Sequence, residues 1–416
     1  MTNLTQKLSK QFFGAGVRVV TLALFLVVFG ASTALAQTLG YVPNIGDDNV
    51  SVINSATNTV VATIPVGSAP FSVAVTPNGA FAYVPNSGNA NVSVINTATN
   101  TVVATVPVGL FPQGIAITPN GAFAYVANVA VNTVSVINTA TNTVTATIPG
   151  LQNPDFVAFT PNGAFAYVAG FSSSVRVIDT ASNTVVATVT VGGSSIGLAI
   201  TPNGASVYVP NQNSNNVSVI STATNTVVTT IPVTDGPWGV AFTPNGAFAY
   251  VSNSLGNSVS VIATATNTVV ATVPVGSNPR SLAIDPTGSF AYVPNQFDNT
   301  VSVISTATNS VVATVGVGAG PIAIAFAVSD PLQSLLGQIQ ALIDAGTLTE
   351  NQGDVLLNKI AHAIGSLDNG QTNAACGQLD SFINQVNAFI NNGSLTQAQG
   401  QTLIDAANAT KASNGC

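Results

Sequence analysis

The chain has 416 residues, a formal net charge of -7 and only 5% charged residues, with hydrophobic residues at 46%, against about 25% charged residues in ordinary globular proteins. Between Gln37 and Ser329 there is no Lys, Glu, His or Cys; the cations there are Arg176 and Arg280, the anions Asp47, Asp48, Asp155, Asp179, Asp235, Asp285 and Asp298. Two arginines cannot form the basic stripe that nucleic acid requires, and without His or Cys this stretch offers neither a zinc or copper site nor a Ser-His-Asp triad.

In chain order the first element is a leader. Lys7, Lys10 and Arg18 precede an apolar run, Val19–Phe29, and then Ala34-Leu35-Ala36, a small-x-small cleavage signature. This reads as a signal peptide over residues 1–36, because the run is short of the roughly 20 residues needed to cross a bilayer. Export follows, to the cell surface, the periplasm or the medium, with no transmembrane anchor in the mature chain.

From residue 37 to 329 the chain repeats. Tyr-Val returns at Tyr41, Tyr83, Tyr125, Tyr167, Tyr208, Tyr250 and Tyr292, in steps of 42, 42, 42, 41, 42 and 42 residues. A period in the low forties, built from short runs of Val, Ile, Thr, Phe and Tyr between Pro, Asn and Gly, belongs to a β-propeller. Each unit holds four strand candidates, A to D; in the second they are Pro70–Thr76, Ala80–Pro85, Asn91–Asn96 and Thr101–Val108. The chain enters at a B strand, Leu39–Pro43, and leaves by an orphan A strand, Pro321–Phe326. Three N-terminal strands plus one C-terminal strand make a composite blade, so seven blades are expected, closed without free edges between the chain ends.

The Tyr-Val-x-Asn opening, the run Val92–Thr105 and the turn Thr76–Gly79 (Thr-Pro-Asn-Gly) resemble the YVTN-type β-propeller repeats of bacterial and archaeal surface-associated proteins. The resemblance spans about residues 39–328 and speaks for fold, since propellers host binders, scaffolds and enzymes alike.

The repeat itself supplies a baseline for function. The A–B and C–D turns, all on one face, are nearly identical and read as structural. The D–A and B–C loops lie on the other face and diverge. At the residue opening each A strand stand Phe71, Gln113, Asp155, Ile196, Trp238, Arg280 and Ile322. A strands line the central channel, so these side chains are expected at the mouth of the funnel. Trp238 beside Arg280 suits a sugar ring, a carboxylate or a peptide, with Asp235, Phe297 and Asp298 enlarging the patch; the alternative is that the same residues fill the channel. No cofactor is expected, although Asp47 and Asp48, or Asp298 with Asn299, offer the hard oxygens that calcium accepts. Arg176 is expected to pair with Asp179 or another local acid.

Beyond Ser329 the pattern becomes helical, over residues 330–416. Leu335, Leu336, Ile339, Leu342 and Ile343 mark one apolar face, Phe382, Ile383, Val386, Phe389 and Ile390 another. Ile339–Leu356 echoes Val386–Leu403, which predicts two helical hairpins. This segment is similar to the FIMAH domains of secreted bacterial proteins. Cys376 and Cys416, the only cysteines, are expected to join, the alternative being a free terminal thiol. Lone His362 and Glu350 read as ordinary helical residues.

The inventory favours an exported, non-catalytic propeller that binds a glycan, peptidoglycan or protein ligand at the funnel mouth. The alternative is a hydrolase or lactonase-like enzyme using Asp155, Asp235 or a bound cation there; its difficulty is that acid–base work wants two groups of separated pKa, and the aspartates are scattered.

Overall fold

The computed structural model describes residues 38–328, 331–368 and 371–416; the proposed signal peptide lies outside them. Seven four-stranded antiparallel sheets form the blades of a propeller. The composite blade is present: Ala325–Val328 pairs with Thr38–Asn44, which pairs in turn with Asn49–Asn54 and Thr59–Pro65. Tyr41 faces Ala325, and Pro321 bridges to Asn44. Counting this blade as the first, the second to seventh begin at Pro70, Pro112, Pro154, Ser195, Pro237 and Pro279.

The repeated tyrosine ties each blade to the next. Each hydroxyl donates to the asparagine of the neighbouring C–D turn: Tyr41 to Asn100, Tyr83 to Asn142, Tyr125 to Asn183, Tyr167 to Asn225, Tyr208 to Asn267 and Tyr250 to Asn309. Tyr292 reaches Asn58, 234 residues away in sequence, and closes the circle. All seven asparagines have positive φ, a left-handed conformation that asparagine tolerates better than most residues. The Asn of Thr-Ala-Thr-Asn is therefore needed twice, for its backbone and for its Oδ1. Burial pushes the hydroxyls upward, to about 12 for Tyr83, Tyr250 and Tyr292, so they remain donors at neutral pH.

The outer D strands carry no charge that would discourage edge pairing. Instead every C–D pair has a register shift at the same place, as between Val52 and Ile53 or Val94 and Ile95. The bulge leaves Val61, Val103, Val186, Val228, Val270 and Val312 exposed, and the added twist turns each edge away from a flat partner.

The A strands differ from the sequence expectation. In the second, fifth and seventh blades the ladder shortens to Ala74–Val75, Ala199–Ile200 and Ala283–Ile284. In the third, fourth and sixth it is full length but shifts register just after the proline. Near the axis seven chains crowd together, so each leaves its ladder at the residues that line the channel.

The C-terminal module has four helices: α1 Pro331–Asp344, α2 Glu350–Asp368, α3 Thr372–Asn391 and α4 Gln397–Ser413. The duplication is structural. Gly346 and Gly393 both take positive φ at the hairpin turns, and Thr349 with Gln352 repeats the capping box of Thr396 with Gln399. Gly353 and Gly400 admit Ile343 and Ile390, whose atoms would lie 2.1 and 2.3 Å from a Cβ there. Leu335, Ile339, Leu356, Phe382, Val386 and Leu403 share one core. Cys376 and Cys416 form a disulfide with Cα atoms 5.8 Å apart, tying the chain end to α3. A bridge of this sequence separation, 40 residues, is worth roughly 4 kcal/mol by loop entropy. Mild reduction is expected to lower the urea midpoint of the helical circular-dichroism signal, and an unchanged midpoint would show that the bridge constrains little.

Candidate functional site

The face formed by the D–A and B–C loops holds every residue singled out for binding. Backbone bonds join these loops in pairs, as Gly46 N–H to the Ala319 carbonyl and Gly88 N–H to that of Ser68. The aspartates serve this bracing. Asp48 Oδ1 accepts from Ala69 N–H (2.8 Å), Asp47 Oδ2 from Ala319 N–H (2.7 Å) and Asp298 Oδ2 from Ser277 N–H (2.7 Å). Asn299 Oδ1 accepts from Gly320 N–H, and Asp235 Oδ1 from Asn215 Nδ2, both at 2.9 Å. One oxygen of each residue offered for calcium thus has a backbone donor, and no group of three or more His, Cys, Asp or Glu suited to a metal occurs among the described residues.

At the axis the funnel mouth is filled. Phe71, Ile196, Trp238 and Ile322 are buried in one hydrophobic cluster with Phe156 beside them. Each follows a proline or Ser195 and is turned inward where its A strand leaves the ladder. Ser72, Gly197, Gly239, Ser281 and Ala323, each next in sequence to a residue that opens an A strand, line a cavity of about 130 Å³ together with larger apolar residues such as Phe156, Leu198 and Ile324. The expected pair meets: the Arg280 guanidinium carbon stands 3.9 Å from the centroid of the Trp238 ring. Gln296, which the sequence did not single out, takes the Arg280 Nε–H at 2.7 Å. Burial draws the guanidinium down to about 10, opposed by Asp155.

Gln113 and Asp155 are buried in the same ring. Burial pushes the Asp155 carboxyl up to about 8, with Arg280 pulling the other way. Asp235 and Asp298 stay in exposed loops, so the mouth brings no second carboxylate to Asp155. Arg176 does not pair with Asp179: its Nη1 donates to Thr188 Oγ1 at 2.7 Å, and Asp179 accepts from Ser182 instead. The cross-strand partner of Arg176 is Thr188, which puts the hydroxyl within easier reach.

Around the filled mouth the same loops expose large apolar side chains. Phe297 is 69% exposed, Leu255 68%, Leu110 58%, Phe111 51% and Phe171 42%. Only Phe297 was anticipated. The signal for the others was present, since each stands where the second blade has a small residue: Ser68, Ala69, Ser87 or Gly88.

Residues 332–412 match the family model of the FIMAH domain. Residues 223–315, the last part of the ring, match the model described as lactonase, 7-bladed beta-propeller. Hydrazine synthase of Kuenenia stuttgartiensis is similar at 28% identity and a TM-score of 0.59, covering 64% of this chain and 92% of that one. A functionally unknown protein from Desulfotomaculum acetoxidans matches at 18% identity and a TM-score of 0.64, over 70% of this chain and 99% of that one, a likeness of fold. No curated protein matches the chain.

Proposed function

We propose that the protein is an exported, non-catalytic binding or scaffold propeller whose ligand, a glycan, peptidoglycan or protein, docks on the D–A and B–C loop face. One observation carries this: the channel mouth is closed by Phe71, Ile196, Trp238 and Ile322, while Leu110, Phe111, Phe171, Leu255 and Phe297 stand exposed around it. Exposed apolar side chains gathered on one face mark interaction surfaces. The ligand contacts accordingly move outward from the buried Phe71, Gln113, Asp155 and Trp238 to the loop tips, with Asp235, Asp298 and Phe297 at the rim. The disulfide suits a place outside the cytoplasm, and no described helix is long and apolar enough to cross a membrane. The test is retention by insoluble peptidoglycan, a glycan array and an envelope-protein overlay, comparing the wild type with Phe111→Ser plus Phe297→Ser. The pair is expected to lose at least tenfold in retention while keeping its melting temperature, because both side chains are exposed; equal retention would remove this face from consideration.

A second reading, a lactone hydrolase, is favoured by the family match over residues 223–315, which contain Asp235, Trp238, Arg280 and Phe297. A lactone-opening assay that Arg280→Gln abolishes would establish it in place of the first.

A further inference from the structure

Asp155 is completely buried, and neither of its carboxylate oxygens has a hydrogen-bond partner among the described residues. Gln113, at the equivalent position of the adjacent blade, is 6% exposed and its Oε1 likewise has none. The two strands touch at this point: a Cβ on Gly114 would lie 1.8 Å from the Asp155 carbonyl oxygen. Three acceptor oxygens on two touching strands thus lack a hydrogen-bond partner among the described residues, and the mouth's unpaired N–H, Trp238 Nε1, belongs to a blade further round the ring. Leaving such groups unsatisfied is unfavourable, and more so for a charged one.

We propose that Asp155 enters the folded ring as the neutral carboxylic acid and donates its proton to Gln113 Oε1, forming a pH-sensitive latch between the third and fourth blades.

One proton converts an acceptor into a donor and provides for two of the three orphaned oxygens. The competing partner is Arg280, the one charge acting on Asp155. Its Nε is committed to Gln296 and its guanidinium lies on the Trp238 face, and it makes no ion pair with Asp155 among the described residues. The remaining mouth residues, Phe71, Ile196, Trp238 and Ile322, are not ionisable, and the unpaired Nε1–H of Trp238 belongs to the ring that Arg280 covers. Burial of a carboxylate without a paired cation is relieved most directly by neutralisation.

The direction of the pH dependence follows. The unfolded chain releases this proton near pH 3.8 and the folded ring near 8. Between the two the native state holds one proton more, so stability falls as pH rises from about 4 to about 8 and is level above. Melting curves of the full chain across that window are expected to show the wild type losing several degrees. Asp155→Asn, whose amide donates at every pH, is expected to lose none and to exceed the wild type at the alkaline end. Gln113→Leu removes the acceptor that favours the protonated form, so its curve is expected to level off at lower pH, a shift that a purely packing role for Gln113 would not give. At neutral pH an infrared carbonyl band of an un-ionised carboxyl should be present in the wild type and missing in Asp155→Asn. Parallel melting profiles or an absent band would overturn the latch. So would a wild-type melting temperature that calcium or sodium chloride raises and Asp155→Asn does not share, because that is the behaviour of an ionised carboxylate holding a cation. If Asp155→Asn fails to fold, the infrared band and the Gln113→Leu profile still decide.

Discussion

Deletion of Pro321–Phe326 is expected to open the ring and bring the melting temperature down by more than any single substitution. These residues close the first blade. Ile322 and Ile324 are 2% and 6% exposed, and Phe326 stands edge-on to Tyr292 with ring centroids 5.0 Å apart. Each large aliphatic side chain removed from such a core costs about 2–5 kcal/mol, and the lost pairing to Thr38–Asn44 leaves a bare inner edge. The total is on the order of 5–10 kcal/mol, comparable with the whole stability of a typical domain. The Tyr292–Asn58 clasp then spans a gap it was placed to lock. Calorimetry gives the melt, and limited proteolysis should cut first in the released N-terminal strands. A melting temperature within a degree or two of the wild type would mean that the ring holds without its composite blade.

The second large effect is expected from Gly114→Ala. The added methyl would meet the Asp155 carbonyl oxygen at 1.8 Å and the Asp155 carbonyl carbon at 2.9 Å, so backbone must move on two blades at once. Overpacking of this kind costs about 1–3 kcal/mol and at times more, and the upper end applies because no flexible side chain is available to yield. The control is Gly377→Ala in α3, where nothing lies within 4 Å of the new Cβ; exchanging glycine for alanine inside a helix gains about 0.5–1 kcal/mol. Denaturant midpoints of the two variants should therefore move in opposite directions. A Gly114→Ala protein as stable as the wild type would mean that the third and fourth blades approach less closely at the mouth.

The repeat was legible in the sequence because every turn of the fold reuses the same local chemistry. Thr-Pro-Asn-Gly specifies a turn through the fixed φ of proline and the freedom of glycine, and the alternation in the strands identifies blades with two buried faces. The orphan A strand announced the closure for the same reason, since an unpaired segment must find its ladder. The tyrosine clasp was visible as a motif but not as a contact, because its asparagine lies in the next blade. At the mouth the sequence marked the correct ring of positions and left their fate open. Whether Trp238 and Phe71 face a ligand or one another depends on the channel's width, which is set by seven strands converging on one axis.

The sequence by itself thus determined seven blades, their closure, the helical duplication and the ring of variable residues, all of which follow from periodicity and turn chemistry. Only the tertiary structure decided that this ring is packed shut, that Asp155 is buried with no hydrogen-bond partner among the described residues, and that Leu110, Phe111, Phe171, Leu255 and Phe297 face outward. The physical reason is that local preferences act within one blade, whereas burial at the axis is a property of all seven together.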